Sequence, residues 1–168
     1  EHATQFQHAS NGDTVDIFQF IFDSPLTVSD GAAREYARVS FPPGRPVLEA
    51  AVDLMGRIFH EFDYEGGVTD IYTPVDTILK EKRGVCQDFA HLQIACLRSM
   101  GLPARYVSGY ILTHPPEGKE KLVGADASHA WLSIWGRDYG DVSPINGLVI
   151  GGGQHEIEVS VSVEPKED

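Results

Sequence analysis

The stretch RGVCQDFAHLQIACLRSMGLPARYVSGY, Arg83 to Tyr110, decides the fold. It opens where one helix stops. Lys80, Lys82 and Arg83 put positive charge in a last turn, and Gly84 follows as the residue that ends it. A second helix runs from about Cys86 to Met100. Phe89, Leu92, Gln93, Cys96 and Met100 share one stripe, and Gly101 and Pro103 stop the helix. Tyr106 to Leu112 then reads as a strand. The segment is therefore a helix feeding a sheet, with a cysteine at the helix start.

Upstream, Pro46 to Phe62 places Val47, Ala51, Leu54, Met55, Ile58, Phe59 and Phe62 at helical spacing. The helix that ends at Gly84 is expected to begin with Thr73 as N-cap, Pro74 at the first position and Asp76 three residues after the cap. SDGAAREYA reads as a short helix capped by Ser29 or Asp30. DIFQFIF, Asp16 to Phe22, is a strand or a short buried segment. Downstream, HAWLSIW alternates as a strand, with His129, Trp131, Ser133 and Trp135 on one face. Ile157, Val159, Val161 and Val163 alternate with polar residues in a one-sided strand. Helices first and an antiparallel sheet after them make the fold class α+β.

The 168 residues suit one domain, and 42% hydrophobic residues can bury a core. The net charge of −12 argues against nucleic acid and anionic membrane as partners, because both need clustered Lys and Arg. No apolar run reaches the length of a membrane span, and the opening residues do not read as a secretory leader, which processing would remove. Cys86 and Cys96 lie about 15 Å apart along one helix, too far for a disulfide. Two free thiols fit a reducing compartment, so the expected location is cytoplasmic.

Cys86 is the sharpest chemical feature. A thiol at a helix N-terminus feels the positive end of the macrodipole, which favours the nucleophilic thiolate. The plainer reading is a small buried hydrophobe. His129, at the start of a strand, is the natural base, and its plainer reading is a half-exposed strand histidine. A helix-start cysteine against a strand histidine is the layout of papain-like thiol catalysis. A zinc site on Cys86, His91 and Cys96 is ruled out. Five-residue steps on a helix turn these side chains about 140° apart.

The Arg83–Tyr110 stretch resembles the core motif of the transglutaminase-like superfamily, in particular its bacterial cysteine peptidases. GADASHAWLSIW, Gly124 to Trp135, resembles the family's histidine motif, and the similarity extends from about Pro42 to Glu164. The resemblance implies a papain-like core with the catalytic Cys at a helix N-terminus. It implies a Cys-His-Asp triad, no metal or organic cofactor, and acyl transfer at the carboxamides of a peptide or protein substrate. The nucleophile falls on Cys86 and the base on His129. Gln87 and Asp88 match the motif without an assigned role. Residues 1–40 form an N-terminal segment that could be the remnant of a β domain, and 41–168 form the core. The expected function is a thiol hydrolase. The alternatives are a protein-glutamine amine transferase and a non-catalytic binding module.

The third triad member has no clear match. The family's Asp lies on the strand after the histidine strand, and about twenty expected residues are missing at the Trp135–Gly136 junction. Asp141 falls about 13 Å out of reach if Gly136 to Asp138 form a tight turn. Asp126 points the other way along the strand. Either the chain is shortened here or the sequence omits a stretch of the polypeptide. The second is favoured, because losing an inner strand exposes edges and core.

Overall fold

A computed structural model describes residues 18–110, 128–135 and 156–159. Four helices come first: α1 Gly31–Arg38, α2 Val47–Glu61, α3 Val75–Glu81 and α4 Cys86–Ser99. Two short strands, β1 Asp63–Tyr64 and β2 Arg83–Gly84, pair in parallel between them. The strands β3 Ala104–Tyr110, β4 Ser128–Trp135 and β5 Glu156–Val159 form an antiparallel sheet in that order. This is the α+β architecture expected from the order of patterns. Among the described residues no helix is long and apolar enough to cross a membrane.

α4 is the axis of the molecule. Every residue from Asp88 to Leu97 is buried, so the single stripe read from the sequence is too narrow. A helix covered all round must be packed on all sides, and here α1, α2, α3 and the sheet do so. Leu132 and Ile134 of β4 join Phe89, Leu92 and Leu97 in one core. α1 starts as expected at Asp30, whose side chain accepts the Ala33 N–H at 2.9 Å. α2 is tied to α1 by Arg57, which donates to the Tyr36 carbonyl at 2.8 Å and lies over the Tyr36 ring.

Three local readings change. α3 begins at Val75 with Pro74 as N-cap, and Thr73 is not the cap. Its hydroxyl instead accepts the Asp70 N–H at 2.9 Å, closing a turn in which Asp70 also accepts from Tyr72. The residue that ends α3 in the left-handed region is Lys82, at φ 56°, and not Gly84. Lys82 Nζ is held at 3.2 Å from Glu61 and over the Phe62 ring, contacts that offset the strain of that backbone. The described end of DIFQFIF, from Phe18, is a turn and not a strand, and Phe22 is exposed. Leu112, Asp126, Asp141 and the Trp135–Gly136 junction's far side lie outside the described residues.

Candidate active site

Cys86 is the first residue of α4, as the sequence predicts. Gly84 is needed for a reason the helix-stop reading missed. A Cβ at 84 would lie 2.7 Å from Asp88 Oδ2. The Asp88 carboxylate, 3% exposed, folds back over the start of its own helix. It accepts the Val85 N–H at 2.8 Å and the Thr69 hydroxyl at 2.6 Å. A carboxylate at the third helical position satisfies a donor that the helix cannot, and complements the helix dipole. Asp88 thus fixes the turn that carries the thiol, and Thr69 anchors that turn to the loop before α3.

β1 and β2 bring a second group to the thiol. Tyr64 pairs with Gly84, and the Glu65 N–H donates to the Gly84 carbonyl at 2.9 Å. The Tyr64 phenol lies in the neighbourhood of Cys86, and burial first, then the proximity of Cys86, raises its pKa above the usual value. Tyr106 of β3 stands on another side. Burial chiefly raises its pKa, with added repulsion from Cys86 and Asp88. The ring of His91 lies 5.0 Å from that of Tyr106, and burial outweighs the pull of Asp88 to keep its imidazole neutral.

His129 sits on β4 opposite Gly109 of β3. Alternation along β4 sets it with Trp131 and Ser133, while Ala130, Leu132 and Ile134 lie in the buried alternate set. A Cβ on Gly109 would lie 2.7 Å from the Trp131 ring, so the indole leans over Gly109, the residue that pairs with His129. Cys86 and His129 thus belong to two packed elements, α4 and β4. Among the described residues no hydrogen bond links thiol to imidazole.

The strand beside β4 differs from the hairpin tested on the sequence. Trp135 pairs with Glu156, and not with Tyr139. β5 therefore fills the neighbouring position. Its described acids, Glu158 and Glu156, lie opposite Ser133 and Trp135. Ser133 is four residues, about 13 Å, from His129 along the strand. On the other side His129 faces a glycine. No described strand neighbour thus offers it a carboxylate.

The second cysteine has a different role. Cys96 is fully buried and its thiol donates to the Ala33 carbonyl at 3.4 Å. Burial pushes that thiol up to about 12. Of the groups around Cys86, the sequence points to Asp88 only through its place in the motif. Tyr64, Thr69 and Tyr106 carry no local signal, because pairing over many residues brings them in.

The profile of the Transglutaminase-like superfamily matches residues 34–143. The chain is 42% identical to uncharacterized protein Rv2569c of Mycobacterium tuberculosis, over 181 positions covering 89% of this chain and 57% of the relative. It is 37% identical to uncharacterized protein ML0607 of Mycobacterium leprae, over 83% of this chain and 57% of the relative. The chain thus spans little more than half the length of these curated relatives. In the first alignment 89% of 168 residues is about 150, so about 31 of the 181 positions have no counterpart in this chain. That deficit is large enough to hold the segment expected after Trp135. Among solved structures, a candidate cysteine protease from Cytophaga hutchinsonii is similar with a TM-score of 0.61. The identity is 30%, over 74% of this chain and 39% of that one. The periplasmic domain of TgpA from Pseudomonas aeruginosa shares the fold, with a TM-score of 0.55 and 22% identity over 86% of this chain and 47% of that one.

Proposed function

We propose, from the premise that the chain belongs to the transglutaminase-like superfamily, that it is a thiol hydrolase of peptide or carboxamide bonds. The observation that carries the reading is the position of Cys86. It is the first residue of a buried helix, at the positive end of that helix's dipole. The first-turn N–H groups of α4 have no carbonyl partner within the helix, so they are free to stabilise an oxyanion. The Cys86 sulfur attacks the carbonyl carbon and forms a C–S bond. His129, holding the thiol proton, gives it to the leaving nitrogen as the C–N bond breaks. Water then adds its oxygen to the acyl carbon, the C–S bond breaks, and one proton of the water passes through His129 to the leaving sulfur. The products are an amine, a carboxylic acid and the free thiol.

The likeness to a candidate cysteine protease supports water over an amine as the second nucleophile. The alternative is a non-catalytic binding module of the same fold. Turnover of fluorogenic peptide amides by the protein and by Cys86→Ala decides between them. The hydrolase reading expects turnover that the variant abolishes with its circular dichroism intact. Equal rates in the two proteins would sink it.

A further inference from the structure

A cavity of about 610 Å³ opens along α4, a size typical of sites for small organic molecules. Gln87, His91, Ile94 and Arg98 line it at spacings of four, three and four residues, so it follows one face of the helix. Leu26 and Ile71 add apolar wall from two loops. The chain carries 25 acidic residues against 13 basic ones, yet among the described residues no Asp or Glu lines this space. The one permanently charged group in its described wall is Arg98.

Arg98 is short of counter-charge. Arg38, Arg45, Arg57, Lys80, Lys82 and Arg83 each pair with a carboxylate. The Arg98 guanidinium instead donates to three neutral oxygens: the Ala104 carbonyl at 3.1 and 2.9 Å, the Phe22 carbonyl at 2.8 Å and the Thr27 hydroxyl at 2.7 Å. The Asp23 carboxylate is turned to Ser29, whose N–H it accepts at 3.0 Å and whose hydroxyl it also accepts. It acts on Arg98 only through space, and burial, the larger influence, lowers the Arg98 pKa. Two donors are left over beside this cation. Four of the five guanidinium N–H groups are used, which leaves one on Nη2. The Ser24 and Thr27 hydroxyls share one bond at 2.6 Å, and Thr27 already accepts from Arg98. One of the two hydroxyl protons therefore has no acceptor among the described residues, and both side chains line the cavity.

We propose that this cavity binds a small organic carboxylate, with its anionic end at Arg98, Ser24 and Thr27 and an apolar body against Leu26, Ile71 and Ile94. A carboxylate accepts both spare donors and supplies the missing counter-charge, and charge-assisted bonds of this kind are the strong ones. A carboxamide in the same place brings no charge and sets its own N–H donors against a wall of donors. The carboxylate belongs either to a free acid or to the C-terminus of a peptide. The shared chemistry is an anion on an apolar body, and it does not depend on the reaction of Cys86.

The test is the affinity of N-acetylphenylalanine against that of its amide, by titration calorimetry. Cys86→Ala is used, so that no thiol chemistry consumes a probe. The acid is expected to bind about tenfold or more tightly than the amide. Arg98 also braces the fold, so the charge is changed at the open edge of the cavity instead. Ile71→Glu, at a side chain 58% exposed, is expected to shrink the acid-to-amide ratio severalfold by repelling the anion. Ile71→Gln makes the same change of shape without charge and is expected to leave the ratio intact. Acetyl-Ala-Ala-Phe separates the two sources. Binding no weaker than that of N-acetylphenylalanine assigns the site to peptide C-termini, and weaker binding assigns it to small acids. Equal affinity for acid and amide, no binding of either at millimolar concentration, or a ratio unmoved by Ile71→Glu would overturn the site.

Discussion

Tyr64 pairs in parallel register with Gly84, and this brings β1 beside the turn that carries Cys86, two residues further along the chain. A strand of two residues thus ties the end of α2 to the start of α4. A hydroxyl close to a thiol favours its thiolate by offering a hydrogen bond. Tyr64→Phe removes the phenol hydroxyl and keeps the ring, which packs 6.4 Å from Phe89. We expect iodoacetamide to label Cys86 about tenfold more slowly at neutral pH in this variant, with thermal stability little changed. Unchanged labelling would show that the phenol only fills space.

Labelling also separates the two cysteines. Cys96 is buried, hydrogen-bonded to Ala33, and pushed up to about 12. The native protein is expected to take up one equivalent of iodoacetamide at neutral pH, mapped to Cys86, and a second only in denaturant. Two equivalents under native conditions would place Cys96 in a looser core.

The Asp88 clasp is a stability element. Asp88→Ala strands the Val85 N–H and the Thr69 hydroxyl at a buried helix start. We expect a loss of about 1–3 kcal/mol in urea denaturation, and a smaller loss for Thr69→Val. The double variant should lose less than the sum, because both deletions break one contact. Strict additivity would mean that the Thr69 contact contributes nothing.

Gly109→Ala tests the wall beside His129. The new Cβ would lie 2.7 Å from the Trp131 ring, so the indole must move. Overpacking of this kind costs about 1–3 kcal/mol. We expect lower stability and amide turnover reduced beyond any change in Cys86 labelling, since the disturbance falls on the strand pair that carries His129 and not on the helix that carries Cys86. Parallel losses in both readouts would place the damage in the whole fold.

His91 gives a pH dependence with a definite sign. Burial holds its pKa below the ordinary 6.5, against the weaker pull of Asp88. The unfolded chain therefore binds the proton more readily than the folded one. Its contribution to stability is present above about pH 6.5 and is lost as the pH falls through the window below it. His91→Phe should flatten the denaturation midpoint between pH 7 and 5. An equal slope in the variant would assign the acid sensitivity elsewhere.

The sequence makes the frame of the site legible because the frame is local. Gly84 followed by an apolar-periodic run puts Cys86 at a helix start, and HAWLSIW alternates cleanly enough to place His129 on a strand. What it hides is set by distance along the chain. Thr69 reaches Asp88 over nineteen residues, and Arg98 reaches Phe22 over seventy-six. Thr73 shows a related limit. Its hydroxyl had two local partners to choose from, the helix start and Asp70, and the turn won. The pairing of β5 with β4 is likewise non-local, so the position of Glu156 opposite Trp135 follows from the sheet and not from any turn signal.

The parallel pair Asp63–Tyr64 and Arg83–Gly84 also bears on how the protein behaves in time. It is two residues long on each side, largely exposed, and held by few backbone bonds, among them Asp63 N–H to the Lys82 carbonyl at 2.8 Å. The helix it serves is the most deeply packed element of the molecule. Such a pair opens far more readily than the core beneath it. Each opening withdraws the phenol from the neighbourhood of the thiol while α4 stays folded. The surroundings of the thiol are thereby tied to a pairing only two residues long, and amide exchange at Asp63 and Glu65 would report how often it opens.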